Sequence, residues 1–528
     1  MADGQIGKVA VGGGFLLFVG LVSSTIILAF TQIVIARFLG PQEMGIYTIV
    51  LLVPNFLIII SDFGISSVLT KFLSQYNNTS EKYRISPLIK KGILFKIIST
   101  SIITCIFILF NRHISQLLKI NIYNNLLIIS SLYIFGQSLL ATINSINLGL
   151  DEYIKNTILI NLQALLRFCI SLILILFGWG VLGPIVGIGM GFTLTACVGL
   201  SLIIFLTCSK YDAYDNNLHD FFRLKYYLLY GIPIYLSNLF NSIEGQLRGF
   251  LMVYFSSDIN IGNYSTAFNF GILLNILATP ISSTLFPAFS KINGIENKSS
   301  LESIYRLSIK YTSLFLIPIS ILIYLLSKDI VILLYGSLYE KAPAYLSLFM
   351  LSYLSVGIGR LVVVPLLNGQ GYSNITLKMH IISLISSLIL SLILMNKYDI
   401  FGLIISMIIS QILSTLYGIL QIKKRYDFSP PIRSTFRILI SVFFSSVINY
   451  YILKILIFKN PFINILINSI LFFSQYLFFC PLLGALNQTD LYNLEDLMKG
   501  LPFFEHIIKP FLEFERHILK KLLILNHK

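Results

Sequence analysis

Apolar runs of about twenty residues, each bounded by polar or charged clusters, recur along almost the whole chain, and no other feature restricts its fold so strongly. In lipid no water is present to satisfy a backbone amide, so a run of this length is read as a helix whose hydrogen bonds close within the segment. The pattern predicts fourteen helices, over residues 13–36, 46–70, 92–110, 124–147, 157–177, 181–206, 226–255, 261–289, 305–327, 343–367, 375–395, 400–421, 435–457 and 462–484. Of 528 residues, the remainder is connections and one tail, with no room for a large soluble domain. A charged fraction of 12% agrees, being about half that of a soluble globular protein. The expected fold class is all-α and polytopic. The first run ends at Arg37 rather than at a small-residue cleavage site, so it is read as a retained span and not as a signal peptide.

A net charge of +15 would suggest nucleic acid in a soluble chain. Here the basic residues are better explained by topology. With the N-terminus in the cytoplasm, Lys71, Lys82, Arg84, Lys90, Lys91, the 208–225 and 290–310 connections, Lys423 to Arg437 and the tail all fall inside, as the positive-inside rule requires. Both termini are then cytoplasmic, and no nucleic acid partner is needed. In the tail, Phe511, Phe514, Ile518, Leu522 and Leu525 recur at steps of three and four, the spacing of an amphipathic helix for the inner membrane surface or for the protein's own loops. The five Cys show no C-x-x-C spacing, which argues against a disulfide framework and a zinc site. No Walker A loop, nucleophile elbow or H-E-x-x-H pair is present, so the reading is a transporter without a bound cofactor and not an enzyme.

The chain also repeats itself. Phe38, Gly45 and Tyr47 after the first span return as Phe255, Gly262 and Tyr264 after the seventh, and Gly149 after the fourth returns as Gly369 after the tenth. Trp179 to Gly183 before the sixth span corresponds to Tyr398 to Gly402 before the twelfth. The displacements are nearly equal, which predicts two parallel six-helix lobes related by a pseudo-two-fold axis along the membrane normal. The expected organisation is an N-lobe over 1–216, a C-lobe over 217–428, two further helices within 429–486 and a cytoplasmic amphipathic tail over 487–528.

An ionised side chain at the centre of a membrane helix costs about 2.5–3.5 kcal/mol on insertion scales, so each one calls for a partner or an aqueous cavity. The spans hold Asp62, Arg167, Glu244, Arg248, Arg360 and Lys454, while Lys96 lies close enough to the start of the third to reach the interface. Asn238, Asn241, Glu244 and Arg248 line one face of the seventh span. Glu244 and Arg248, at i and i+4, could form a buried ion pair that fixes packing, or could face substrate. Cations exceed acids, and if Arg167, Arg248 and Arg360 converge they suit an anionic phosphate or diphosphate headgroup. Lys454 lies outside the repeat and is read as structural. Gly183, Gly187 and Gly191 have the spacing of close helix approach.

The connection Ala36-Arg37-Phe38-Leu39-Gly40-Pro41-Gln42-Glu43-Met44-Gly45-Ile46-Tyr47, followed by Asp62-Phe63-Gly64-Ile65, Asn368-Gly369-Gln370-Gly371 and Lys397 to Gly402, resembles the polysaccharide (Wzx-like) flippase family of the multidrug/oligosaccharidyl-lipid/polysaccharide exporter superfamily. The resemblance covers nearly the whole chain. It implies a two-lobe fold in the cytoplasmic (plasma) membrane that moves lipid-linked oligosaccharide by alternating access. It also implies cationic residues in a central cavity, for which Arg167, Arg248 and Arg360 are the available positions, with Asn241 and Glu244 beside them. Arg37, Gly40, Pro41, Gly45 and Tyr47 form its structural motif, while Asp62 and Glu244 are candidate sites for a coupling Na+ or H+. The implied partners are the lipid-linked oligosaccharide, the bilayer and the glycosyltransferases of the same pathway, with the chain itself a monomer. A peptidoglycan-precursor (lipid II) flippase, a drug or cation antiporter and a membrane-embedded polysaccharide polymerase are the alternatives.

Overall fold

The computed structural model describes residues 2–119, 124–212, 224–292, 294, 296–455, 460–498 and 516, although for 2–16, 18, 453, 455 and 494–498, and for much of 224–241 and 272–287, it describes the backbone and not the side chains. The proposed tail helix at Phe511 to Leu525 and the side chain of Asn241 lie outside the described residues. The first half contains α1 (Ala2–Ile60), α2 (Ile65–Asn77), α3 (Ile85–Leu109), α4 (Asn111–Leu117), α5 (Asn124–Gly149), α6 (Tyr153–Leu176) and α7 (Leu182–Leu202), the last running through a π-helical turn into α8 (Ser209–Asp212). Then come α9 (Leu224–Phe255), α10 (Asp258–Ser290), α11 (Lys298–Tyr335), α12 (Ala342–Met350), α13 (Val363–Gly369), α14 (Ser373–Tyr426), α15 (Ile432–Ile455), α16 (Pro461–Leu482) and α17 (Gln488–Met498).

Among the described residues nine helices are long and apolar enough to cross a membrane, or ten if one bent pair is a single span. This makes the chain a multi-pass membrane protein. The two longest helices each cover two predicted spans. α1 is broken at Gly40 (φ 71°), a left-handed conformation that costs a residue without Cβ nothing, and Pro41 follows without an amide to donate. α14 is broken at Asp399 (φ 52°), where a short polar side chain tolerates the same region.

Two spans that the pattern predicts as continuous are broken. The second, 46–70, stops at Ile60 and restarts at Ile65, with Phe63 at φ 45° and Gly64 at φ 81° between the two helices. The tenth, 343–367, passes from α12 into a 3-10 segment (Leu351–Ile358), stops at Gly359 (φ 99°) and bends by 44° into α13. Hydropathy averaged over a span misses both breaks, because the single charged residue in each, Asp62 or Arg360, is surrounded by apolar and small ones.

The chain groups into two compact units, Met1–Asn269 and Phe270–Lys528, with the boundary inside α10. In the first, α5 and α6 pack on α7, α1 packs on α6, and α9 lies against α1 and α2. Gly183, Gly187 and Gly191 meet the backbone of α6 at Ile175, Ser171 and Arg167, one turn apart each time, so α6 and α7 approach as closely as their glycines allow. Ile65, Leu69, Leu73, Leu139 and Ile143 belong to its buried core. In the second, α11 packs on α12, the 3-10 segment, α15 and α16, around a core that includes Tyr305, Val363, Leu366 and Phe428.

The glycines of the repeat make matching contacts. Gly149 packs on the carbonyl of Leu69, and Gly369 packs on the carbonyl of Phe286, which is 217 positions after Leu69. Gly183 packs on Leu174 and Ile175, and Gly402 on Leu394 and Met395, both pairs displaced by 220. Gln370, next to Gly369, donates to Phe289 O at 2.6 Å and Ile292 O at 2.8 Å, and so ties down the segment after α10.

Candidate functional site

Asp62 sits in the break between α1 and α2. Ending α1 there leaves carbonyls with no intrahelical partner, and neighbouring helices supply donors. The Tyr235 hydroxyl on α9 donates to Ile60 O at 3.2 Å, and Lys96 on α3 donates to Ser61 O at 3.1 Å. The same ammonium lies 3.3 Å from Asp62 Oδ1, and Ser66 on α2 donates to that carboxylate. Lys96 is only 1% exposed, against 25% for Asp62. Sequence reasoning missed this pairing and placed Lys96 at the interface. The helix in fact begins at Ile85, so Lys96 is eleven residues inside it, and the partly exposed Asp62 holds its ammonium.

A second arrangement centres on residues of the repeat. Thr48 Oγ1 donates to Ser265 Oγ at 3.0 Å, and these positions are 217 apart. A Cβ on Gly45 would overlap the carbonyl of Asp258, and a Cβ on Gly262 would overlap the carbonyl of Pro41. Pro41 and Asp258 are again 217 apart, so the contact is reciprocal. One residue before Thr48, Tyr47 accepts a hydrogen bond from Arg167 Nη2 at 3.1 Å. One residue before Ser265, Tyr264 is likewise buried, and Arg248 lies on α9.

The two arginines differ in their partners. Arg248 Nη2 is 3.6 Å from Glu244 Oε1, and its Nε donates to Glu244 O at 3.2 Å, so the two charges balance on one helical face. Arg167 has no carboxylate paired with it among the described residues, and its buried Nε has no hydrogen-bond partner. The Tyr133 hydroxyl on α5 donates to Asn55 Oδ1 at 2.8 Å. A guanidinium held by a neutral hydroxyl with a donor left over can accept an external anion without first losing an acid.

Arg360 belongs to the second unit and lies in the other break. Its Nη1 donates to Ser352 O at 3.3 Å, and its guanidinium carbon is 5.7 Å from the centre of the Tyr353 ring. A cation there stabilises the C-terminal end of the 3-10 segment. Arg37 is exposed, three residues before the Gly40 break. Lys454 lies 4.8 Å from the Tyr450 ring. A further buried pair went unforeseen, Lys310 on α11 with Asp490 on α17. Among the described residues no three His, Cys, Asp or Glu side chains are grouped to hold a metal ion.

Comparison with known proteins agrees with this architecture. A family model described as polysaccharide biosynthesis protein matches residues 34–344. A candidate O-antigen transporter of Shigella dysenteriae is 23% identical over 279 residues, covering 52% of this chain and 67% of that protein. Among solved structures, the lipid II flippase MurJ in an inward closed conformation superposes with a TM-score of 0.70 at 17% identity, over 89% of this chain and 98% of that one. An inward-facing multidrug-resistance MATE transporter of the MOP superfamily gives a TM-score of 0.59 at 16% identity, over 78% and 98%. The fold is thus shared across exporters of different cargo, whereas the family match is specific to polysaccharide biosynthesis. The chain belongs to the polysaccharide biosynthesis protein family.

Proposed function

We propose that the protein flips a lipid-linked oligosaccharide, a polyprenyl or dolichyl (di)phosphate sugar, across the cytoplasmic membrane by alternating access. The observation that carries this reading is Arg167, fixed by Tyr47 beside the Thr48–Ser265 contact, with a buried donor and no acid paired with it among the described residues. Such a group favours a phosphate or diphosphate over the cationic cargo of a drug antiporter. Arg248 and Arg360 are the further cations proposed for the head, and Asn241 is a neutral contact on the face of Glu244 and Arg248.

Fourteen crossings are proposed, with α1 and α14 each counted twice across their breaks, α9 and α10 counted as spans, and both termini in the cytoplasm. The repeat then gives two six-helix lobes, with α15 and α16 outside them. The polyprenyl tail stays in the bilayer. An apolar groove of about 440 Å³ lined by Ile321, Tyr324, Leu354, Leu439 and Phe443, between α11 and α15, has the character such a tail needs. The fold likeness to a lipid II flippase supports a second reading, a peptidoglycan precursor as cargo.

Reconstituted vesicles holding a fluorescent polyprenyl-diphosphate oligosaccharide test the proposal. Movement of the probe to the outer leaflet, lost in Arg167→Gln, supports it. No movement in vesicles whose protein retains its wild-type melting temperature rejects it. Inhibition by excess lipid II would favour the second reading.

A further inference from the structure

α14 ends on three consecutive basic residues, Lys423, Lys424 and Arg425, and all three are exposed. A cation in the last turn of a helix ordinarily answers the unpaired carbonyls there. Arg425 is placed differently. Its guanidinium carbon lies 4.4 Å from the centre of the Tyr372 ring, and Tyr372 precedes the first residue of the same helix. The two ends meet because α14 folds back on itself at the Asp399 break. The Ser391 and Ser406 hydroxyls are 2.6 Å apart across the fold, and Ser414 donates to Met379 O at 2.8 Å. Behind the pair stands a row of rings. Tyr372 is 6.3 Å from Tyr426, Tyr426 is 5.4 Å from Phe428, and Lys298 Nζ lies 5.9 Å from the Phe428 ring. The platform is fixed from below, since the Tyr426 hydroxyl donates to Gln370 Oε1 at 3.3 Å and Gly294 N donates to the same oxygen at 3.2 Å. Among the described residues neither Arg425 nor Lys298 is paired with a carboxylate. Exposed Leu413, Leu416 and Leu420 lead along one face of α14 to this end, and Lys424 follows four residues later on that face. At the displacement that relates Gly183 to Gly402, the first copy of the repeat has Ile204, Phe205 and Leu206 in place of the three cations, so the shared fold does not require them.

We propose that this end of α14 binds the headgroup phosphate of an anionic phospholipid, with Arg425 held flat on Tyr372 as its principal contact. A guanidinium stacked on a ring keeps its N–H groups in a plane parallel to that ring, where they remain free to bond phosphate oxygens in pairs. Lys424, and Lys298 on the same aromatic platform, add charge without a competing acid. The Leu413 to Leu420 face lies where an acyl chain of the same lipid would run. A single molecule therefore meets a cationic end and an apolar face in the order in which a phospholipid presents its own head and tail. A zwitterionic headgroup carries its own ammonium beside the phosphate and gains less. A phosphate ion from solution finds the cations but not the apolar face. The site is separate from the cargo cations, and its occupant is a bilayer lipid that is not carried.

The test uses the full chain in detergent and no lipid-linked sugar. Native mass spectrometry during titration with phosphatidylglycerol gives the affinity of the first bound lipid, and phosphatidylethanolamine is the zwitterionic comparison. The wild type binds phosphatidylglycerol about tenfold more tightly than phosphatidylethanolamine, and Arg425→Gln loses about that factor, as removal of one charge-assisted hydrogen bond does. Arg433→Gln removes the same charge from an exposed residue at the start of α15 and leaves the affinity unchanged. Tyr372→Leu changes no charge yet weakens binding several-fold, whereas Tyr372→Phe keeps the ring and the affinity. Equal losses in Arg425→Gln and Arg433→Gln would mean diffuse attraction to a basic surface and overturn the proposal. So would wild-type affinity in Tyr372→Leu, or equal affinity for the two lipids. Displacement of the lipid by inorganic phosphate would identify a site for a soluble anion and overturn the lipid assignment. If Tyr372→Leu does not fold, the comparison of Arg425→Gln with Arg433→Gln decides. Flipping enters none of these measurements, so failure of the proposed function leaves their result intact.

Discussion

Thr48 and Ser265, 217 residues apart in sequence, share a 3.0 Å hydrogen bond between their hydroxyls. The contact joins residues at equivalent places in the repeat of the sequence. Gly45 against Asp258 and Gly262 against Pro41 lie on either side of that contact and exchange roles across it. An added methyl group at Gly45 or Gly262 cannot be absorbed by a flexible neighbour, because the atom it meets is a backbone carbonyl. Gly45→Ala and Gly262→Ala should each lower stability by about 1–3 kcal/mol, as overpacking does in a tight core. Gly245→Ala, with open space around it, should leave the melting temperature unchanged. Equal losses for the first pair and none for the third, measured by thermal unfolding in detergent, are the expected result.

The apolar runs disclosed the all-α, multi-pass class, and the recurring glycines are legible for the same reason that they are sensitive. Close approach between backbones admits only Gly, so Gly45, Gly149 and Gly183 recur in the second copy where the same contact recurs. Asp62 was also legible, since an acid in an apolar run is costly wherever it lies. Its partner was not. Lys90 and Lys91 make the run appear to begin at 92, and a lysine near a run's edge reads as reaching for the interface, whereas the helix starts at Ile85. The break at Gly359 carries a weak signal in Gly357-Ile358-Gly359, but periodicity alone gives no reason to place a left-handed residue there. Lys310 and Asp490, 180 residues apart, have no local pattern to connect them.

That pair fastens α17 to α11. Asp490 also accepts from Asn487 N at 2.8 Å and from the Tyr311 hydroxyl at 3.4 Å, and both charged side chains are buried. Removing one partner leaves the other charge stranded, so Asp490→Ala should cost about 3–5 kcal/mol. Replacing both, as Lys310→Met/Asp490→Leu, should recover most of the loss. The measurement is thermal unfolding, together with protease sensitivity of the segment after α16. Equal damage in the single and double variants would refute the pairing.

Glu244 and Arg248 make the opposite case, because both are about one fifth exposed and separated by one helical turn. Their mutual contribution to stability should be small, about 0.3–0.5 kcal/mol as for other pairs at this spacing. Function should respond more. Glu244→Gln leaves the arginine's charge uncompensated and should tighten binding of a polyprenyl-diphosphate probe, while Arg248→Gln weakens it. Binding measured by quenching of a labelled probe separates the two, and weaker binding in both variants would mean that Glu244 contacts the ligand itself.

Arg167 provides the sharpest test of an anion site because no acid is paired with it among the described residues. Tyr47 accepts one of its hydrogen bonds, and Gly191 lets the α6 backbone at Arg167 sit directly against α7. Losing the guanidinium should cost a charge-assisted interaction of about 1.5–3 kcal/mol, roughly a tenfold to hundredfold loss in probe affinity. Arg167→Lys keeps the charge but loses the planar fork, so it should recover only part of that affinity. Tyr47→Phe acts one step further out. It removes the hydroxyl that orients the guanidinium, and affinity should fall by less than in Arg167→Gln. If Arg167→Gln and Tyr47→Phe lose affinity equally, the tyrosine is itself a ligand contact rather than a support. If neither changes affinity while the melting temperature drops in both, Arg167 serves packing between α1 and α6, and the anion must be bound elsewhere.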